Sequence, residues 1–243
     1  RYGASAASSS THGYSSGGYT GAYSNVIDQF SFVSTTNAVD HGNLTGGGRD
    51  SHTGQSSSTH GYVSAGYISV LSNVIEKFTF ASAGNSTDVG DVTAARYGVS
   101  GQNSTTHGYT SGGNVSTDRI DKFTFSADAN STDVGNLTVG RAYLVGHSST
   151  THGYSSGSNG TGSNVIDKYT FASDADATDV GDLTMAHASA SGQSSTSHGY
   201  TCGGAHPSAA ADVIEKFTFA SNADATDVGD LTVGRSNSAG TQY

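Results

Sequence analysis

The tripeptide His-Gly-Tyr occurs five times, beginning at His12, His60, His107, His152 and His198, at intervals of 48, 47, 45 and 46 residues. A motif that returns at such a period means that one supersecondary unit is copied along the chain, and periods of roughly 20 to 50 residues belong to solenoids and propellers. Every copy contains four pieces in the same order. The first is small and polar, as in "RYGVSGQNST"; the second is "HGYSSGG" and its relatives. The third is the most apolar, as in "NVIDKYTF"; the fourth is the phrase "TDVGDLT" or a close variant.

The third piece alternates with period two. Val165, Asp167, Tyr169 and Phe171 fall on one side, and Ile166, Lys168 and Thr170 on the other. Alternation with β-branched and aromatic residues predicts a strand. The second piece alternates as well, with His, Tyr and Ser opposite mostly Gly and Ser, and glycine there is expected to let another sheet approach closely. The fourth piece reads as a short strand after a turn. No helical stripe occurs. Four strands in about 47 residues make one propeller blade.

Leu, Ile, Val and Phe number only 39 of 243 residues, so the core must be spread through many small layers. Twenty acidic against ten basic residues argue against a nucleic-acid surface. No apolar run is long enough for a membrane-spanning helix. One cysteine, Cys202, excludes an internal disulfide, and its place is taken by Ser in the other copies, which makes it a small packing residue. The chain opens without Met and without a secretory leader, which reads as a fragment or a processed product.

The order of a basic residue, "HGY", a Gly pair, "VIDKYTF" and "TDVGDLT" resembles the kelch repeat of galactose-oxidase-type propellers. The Gly pairs are Gly17–Gly18, Gly112–Gly113 and Gly203–Gly204, and the third-strand aromatics are Phe30, Phe78, Phe123, Tyr169 and Phe217. The resemblance implies a propeller with a glycine pair closing strand two. Two departures stand out: there is no Trp, and the second and fourth pairs read Ala65–Gly66 and Gly157–Ser158. The Gly/Ser/Thr-rich copies are also similar to repeat proteins of bacteriophages that infect aquatic bacteria.

The expected architecture is an all-β β-propeller of five four-stranded blades in one domain, residues 1–243. The blades are 1–48, 49–95, 96–140, 141–186 and 187–234, and 235–243 supplies an extra first strand or a seam. A solenoid is the rival, but it needs atypical capping units and none is visible.

In a four-stranded blade the one–two and three–four loops share one face, and the two–three and four–one loops share the other. The first face is monotonous from copy to copy ("SSTHG", "ADATD"), whereas the second varies ("YTGAYS", "YISVLS", "NVSTD", "SNGTGS", "AHPSAAA"). Tyr19, Tyr23, Tyr67, Tyr97 and Tyr143 lie on the variable face and are the candidate ligand-binding residues. Tyrosine combines flat apolar area with a hydroxyl and suits sugar or protein surfaces. The recurring His12, His60, His107, His152 and His198 are read as structural, each bonded within its own blade. The recurring Asp40, Asp88, Asp133, Asp179 and Asp227 are read as turn caps. The run "SDADATDVGD" (Asp174, Asp176, Asp179, Asp182) has the oxygen spacing of a calcium loop, but it lacks a terminal Glu and the other copies do not keep it. No cofactor or metal is expected, calcium being the one ion that run could suit.

No copy brings Ser, His and Asp together unusually, so no catalytic set is visible and the chain is read as not an enzyme. Five of the six arginines (Arg1, Arg49, Arg96, Arg141 and Arg235) stand at the repeat boundary, which suits structural ion pairs; Arg119 does not. The sequence therefore points to a binding or display module of a virion or extracellular structure, facing a glycan or a protein and set within a larger assembly. The alternatives are a glycan-active hydrolase or oxidase with its site at the central channel, and a scaffold without a ligand.

Overall fold

The alternating segment Val165–Thr170 is a strand, and its counterparts in the other copies are Val26–Ser31, Val74–Thr79, Arg119–Thr124 and Val213–Thr218. The computed structural model describes residues 1–114, 117–158, 164–206 and 209–240. Each of these third strands lies between a second and a fourth. The second strands are His12–Ser16, His60–Ser64, His107–Ser111, His152–Ser156 and His198–Cys202. The fourth are Val39–Asn43, Thr87–Asp91, Thr132–Asn136, Thr178–Asp182 and Thr226–Asp230. The first strands are Ser5–Ser8, Thr53–Ser56, Ser100–Asn103, Val145–Ser148 and Ser191–Ser194. The result is five antiparallel four-stranded sheets, each ordered one-two-three-four, with no helix among the described residues. Successive first strands pack against each other around a common axis, which makes the chain a five-bladed β-propeller. A short hairpin, Ala205–His206 with Ala209–Ala210, decorates the fifth blade.

The glycines explain how the layers come together. In the second strands Gly13, Gly61, Gly108, Gly153 and Gly199 pair with the third-strand aromatic of their own blade, whose ring lies where a Cβ would stand. The space therefore serves a ring of the same sheet, which corrects the expectation of a second sheet approaching there. Close approach between blades happens at the first strand: a Cβ on Gly101 would sit 2.6 Å from the carbonyl oxygen of Gly54, and one on Gly192 equally near that of Gly146.

Adjacent blades join through two repeated devices. Tyr14, Tyr62, Tyr109 and Tyr154, all buried, each stack at 4.7 to 4.8 Å on an aromatic of the next blade, namely Phe80, Phe125, Phe171 and Phe219. The second device is a buried carboxylate on strand three. Arg96 donates to Asp121 at 2.8 Å and Arg141 to Asp167 at 2.7 Å; Arg49 pairs with Glu76 in the same way. In the fifth blade His187 replaces arginine and donates to Glu215 at 2.6 Å. Each carboxylate also accepts from a threonine at the end of the preceding blade, as Thr93 Oγ1 does to Asp121 and Thr138 Oγ1 to Asp167, both at 2.6 Å. Burial alone would raise the Glu215 carboxyl, yet the hydrogen bonds from His187 and Thr184 hold it below its usual range. These carboxylates link three segments from two blades, the geometry in which a buried charge is tolerated.

Two further expectations are refined. The repeated aspartates cap the backbone through their own side chains as expected, but inside strand four rather than at a turn before it. Asp40, Asp88, Asp133, Asp179 and Asp227 accept from the N–H of the glycine two residues on, at 2.9 to 3.3 Å. Those glycines have φ of 147° to 153°, and the pairing with strand three slips there, so the aspartate side chain holds a β-bulge. Cys202 is half-buried, and its thiol donates to Gln193 Oε1 at 3.3 Å.

Candidate functional site on the uneven face

Just before each first strand the backbone turns through the left-handed region. Gly3, Ser51, Gly98, Tyr143, Ser189 and Asn237 have φ between 52° and 66°. These six residues are linked in order by backbone hydrogen bonds. Ser51 donates to Gly3 at 2.9 Å, Gly98 to Ser51 at 2.7 Å, Tyr143 to Gly98 at 2.6 Å, Ser189 to Tyr143 at 3.0 Å and Asn237 to Ser189 at 2.8 Å. They form a rim around one mouth of the central channel, where Gly3, His52, Tyr143, Leu144 and Ser189 line a depression of about 80 Å³. The sixth member, Asn237, belongs to the segment after the fifth blade. Residues 237–240 thus sit at a sixth inner position beside the fifth first strand, without forming a regular strand themselves.

The predicted tyrosines converge on this rim. Their rings form one unbroken chain: Tyr19 to Tyr23 at 5.0 Å, Tyr23 to Tyr67 at 5.9 Å, Tyr67 to Tyr97 at 5.6 Å and Tyr97 to Tyr143 at 5.8 Å. Interplanar angles of 61° to 72° make every contact edge-to-face. A sixth ring, Tyr2, extends the ladder by a contact of 5.4 Å with Tyr19. The five tyrosines are half-buried rather than freely exposed, because each covers the next; only Tyr2, 49% exposed, stands open. The ladder crosses blades one to four and ends at the channel mouth with Tyr143. A bulky residue in the left-handed region is unusual and marks a site held in place by its surroundings.

Asp50 lies under the ladder. Burial raises its carboxyl, and a hydrogen bond from Ser51 opposes the rise. Burial, then the neighbouring Tyr97 and Asp50, pushes the Tyr143 phenol up to about 12. Tyr23 is raised by the same causes, desolvation first and Asp50 next. The Tyr23 and Tyr143 phenols therefore stay protonated at neutral pH and offer hydroxyl donors along an apolar strip. Tyr2 and Asp50 were not singled out from the sequence. The signal for Tyr2 was there: Arg-Tyr-Gly opens both the first and third copies, at 1–3 and 96–98, and aligns Tyr2 with Tyr97.

The repeated histidines and aspartates lie at the opposite face. Thr11, Thr59, Thr106, Thr151 and Ser197 each place a hydroxyl 2.8 Å from Nδ1 of the histidine that follows. The rings of His60, His107, His152 and His198 lie 6.3 to 6.5 Å from the tyrosine two residues on. Partial burial, then Lys77, Lys122 and Lys168, lowers His60, His107 and His152 respectively. Among the described residues no three His, Cys, Asp or Glu side chains converge as a metal ion would require. Of the variable loops, 115–116, 159–163 and 207–208 lie outside the described residues.

The fold and this face define a class: a five-bladed β-propeller with one aromatic, uneven face and one repetitive face. The chain matches no protein-family model and no curated protein.

Proposed function

We propose that the chain is a non-enzymatic binding and display module that takes a glycan or a protein surface on the tyrosine ladder, as part of a virion or another extracellular assembly. The observation that carries this reading is the unbroken chain of ring contacts from Tyr2 to Tyr143, edge-to-face from Tyr19 onward, on the face whose loops differ from blade to blade. Rings fixed by their neighbours lose little freedom when a ligand settles on them, and sugar C–H faces and protein side chains both stack on such strips. The kelch-like repeat order supports a propeller of the galactose-oxidase type, and the Gly/Ser/Thr-rich copies support a phage origin.

A glycan array probed with the intact chain, followed by an assay for released reducing ends on every bound glycan, tests the proposal. Binding without turnover is the expected result, and Tyr67→Ala should weaken it about tenfold, equivalent to about 1.4 kcal/mol. Release of reducing ends from a bound glycan would make the protein an enzyme and end this reading. Binding that Tyr67→Ala and Tyr143→Ala leave unchanged would end the ladder's part in it.

A further inference from the structure

The four blade interfaces are built alike, and between the fifth blade and the first the same parts stand without counterparts among the described residues. Tyr200 matches Tyr14, Tyr62, Tyr109 and Tyr154, yet its one ring contact is with His198 of its own strand. Thr232 matches Thr45, Thr93, Thr138 and Thr184, each of which donates to a carboxylate of the next blade; Thr232 donates to none. Arg235 matches Arg49, Arg96, Arg141 and His187, but its guanidinium reaches only the carbonyl of Val233. A Cβ on Gly42, Gly90, Gly135 or Gly181 would strike the three–four loop of the following blade, whereas one on Gly229 meets nothing within 4 Å. Val228 is 47% exposed where Val89 and Val180 are 9%.

The first blade shows the reciprocal lack. Asp28 accepts from Arg1 at 2.5 Å and from no threonine of a preceding blade. The one ring contact of Phe30 is edge-to-face with Phe32 of its own blade, and Phe32 is 41% exposed. Residues 237–240 lie between the two edges and border a cavity of about 370 Å³ together with Arg1, Tyr14, Phe30 and Gln193. They already hold the inner position of a sixth unit, and "RSNSAGTQY" aligns residue for residue with "HASASGQSS" at 187–195.

We infer that this seam is a docking surface for strands two to four of one further copy of the same repeat. The four existing interfaces specify the occupant's chemistry. It brings a strand-three carboxylate to Arg235 and Thr232, an aromatic pair to Tyr200, a strand-two tyrosine to Phe30 and Phe32, and a Leu-Thr end to Asp28. A second copy of the chain fits less well, because its own first strand would compete with 237–240 for the inner position.

The test extends the intact chain after Tyr243 by a copy of residues 196–234. The extended protein should unfold at a higher denaturant midpoint, and its Asp230 and Thr232 amides should exchange at least about tenfold more slowly than in the 243-residue chain. Arg235→Ala should lower the midpoint of the extended protein and leave that of the 243-residue chain unchanged. An unchanged midpoint with fast exchange at both amides would overturn the inference, as would an equal effect of Arg235→Ala in the two proteins. If the extended protein does not fold, the same segment added as a free peptide must slow exchange at Asp230 and Thr232; no slowing overturns the proposal. A 243-residue chain that light scattering finds dimeric, with those amides already protected, would assign the seam to a second copy and overturn it too.

Discussion

Arg96 and Arg235 hold equivalent places in the repeat and opposite places in the energetics. Arg96 is buried beside Asp121, which is itself 0% exposed. Arg96→Ala would strand that carboxylate, at a cost of about 3 to 5 kcal/mol. Arg235→Ala removes an exposed side chain bonded to one nearby carbonyl and should change stability by less than about 0.5 kcal/mol. Urea denaturation of the two variants checks the pair. His147 carries a different consequence. It stands where the second, third and fifth blades have Gln55, Gln102 and Gln193. Its Nδ1–H donates to the carbonyl of Gln193 at 3.2 Å, and its Nε2 faces the hydroxyls of Ser156 and Thr201. Burial lowers it from 6.5 to about 4, and burial, then Arg49, lowers His52 to about 3. Between those values and 6.5 the unfolded chain binds the extra protons, so stability falls as pH drops below about 6.5. Glu215, held below the usual carboxylate range, acts in the same direction on further acidification. His147→Gln should flatten the loss of stability between pH 6.5 and 4 while leaving neutral stability nearly unchanged. Denaturation midpoints at pH 4, 5, 6 and 7 would show it; an unaltered slope would contradict it.

At the level of the strand, what the sequence made legible followed from period and composition. "VIDKYTF" and its copies alternate so cleanly that strand three could be placed to within a residue, and the five repeats fixed the number of sheets. The purpose of the strand-two glycines was not legible, because the ring that occupies each one comes from 15 to 18 residues further along the chain and is fixed only by pairing, as Gly13 with Phe30 shows. The bulge aspartates were misplaced for a related reason: Asp-x-Gly has the same appearance in a turn and in a bulge, and only cross-strand register separates them. The strand-two glycines give a direct expectation. A methyl group on Gly108 would overlap the Phe123 ring, so Gly108→Ala should cost about 1 to 3 kcal/mol despite the better strand propensity of alanine. Thermal unfolding of that variant would measure it, and a neutral or stabilising outcome would mean that the ring does not lie over the glycine.

Across the whole molecule each blade is finished by the one that follows it. The tyrosines were visible in the sequence as an uneven set, but their union into a ladder was not, since it depends on four blades turning their two–three and four–one loops toward one rim. The same dependence makes the last strand four different from the others. The N–H groups of Asn43, Asp91, Asn136 and Asp182 each donate to an Asn or Asp side chain of the next blade at 2.9 to 3.0 Å; that of Asp230 has no such acceptor among the described residues. Residue-resolved hydrogen–deuterium exchange on the intact 243-residue chain tests this account most directly. We expect slow exchange at Asp91, Asn136 and Asp182, and at Thr93, Thr138 and Thr184 behind them, with fast exchange at Asp230 and Thr232. Equal protection at all of these positions, or a steady gradient from one end of the chain to the other, would contradict it.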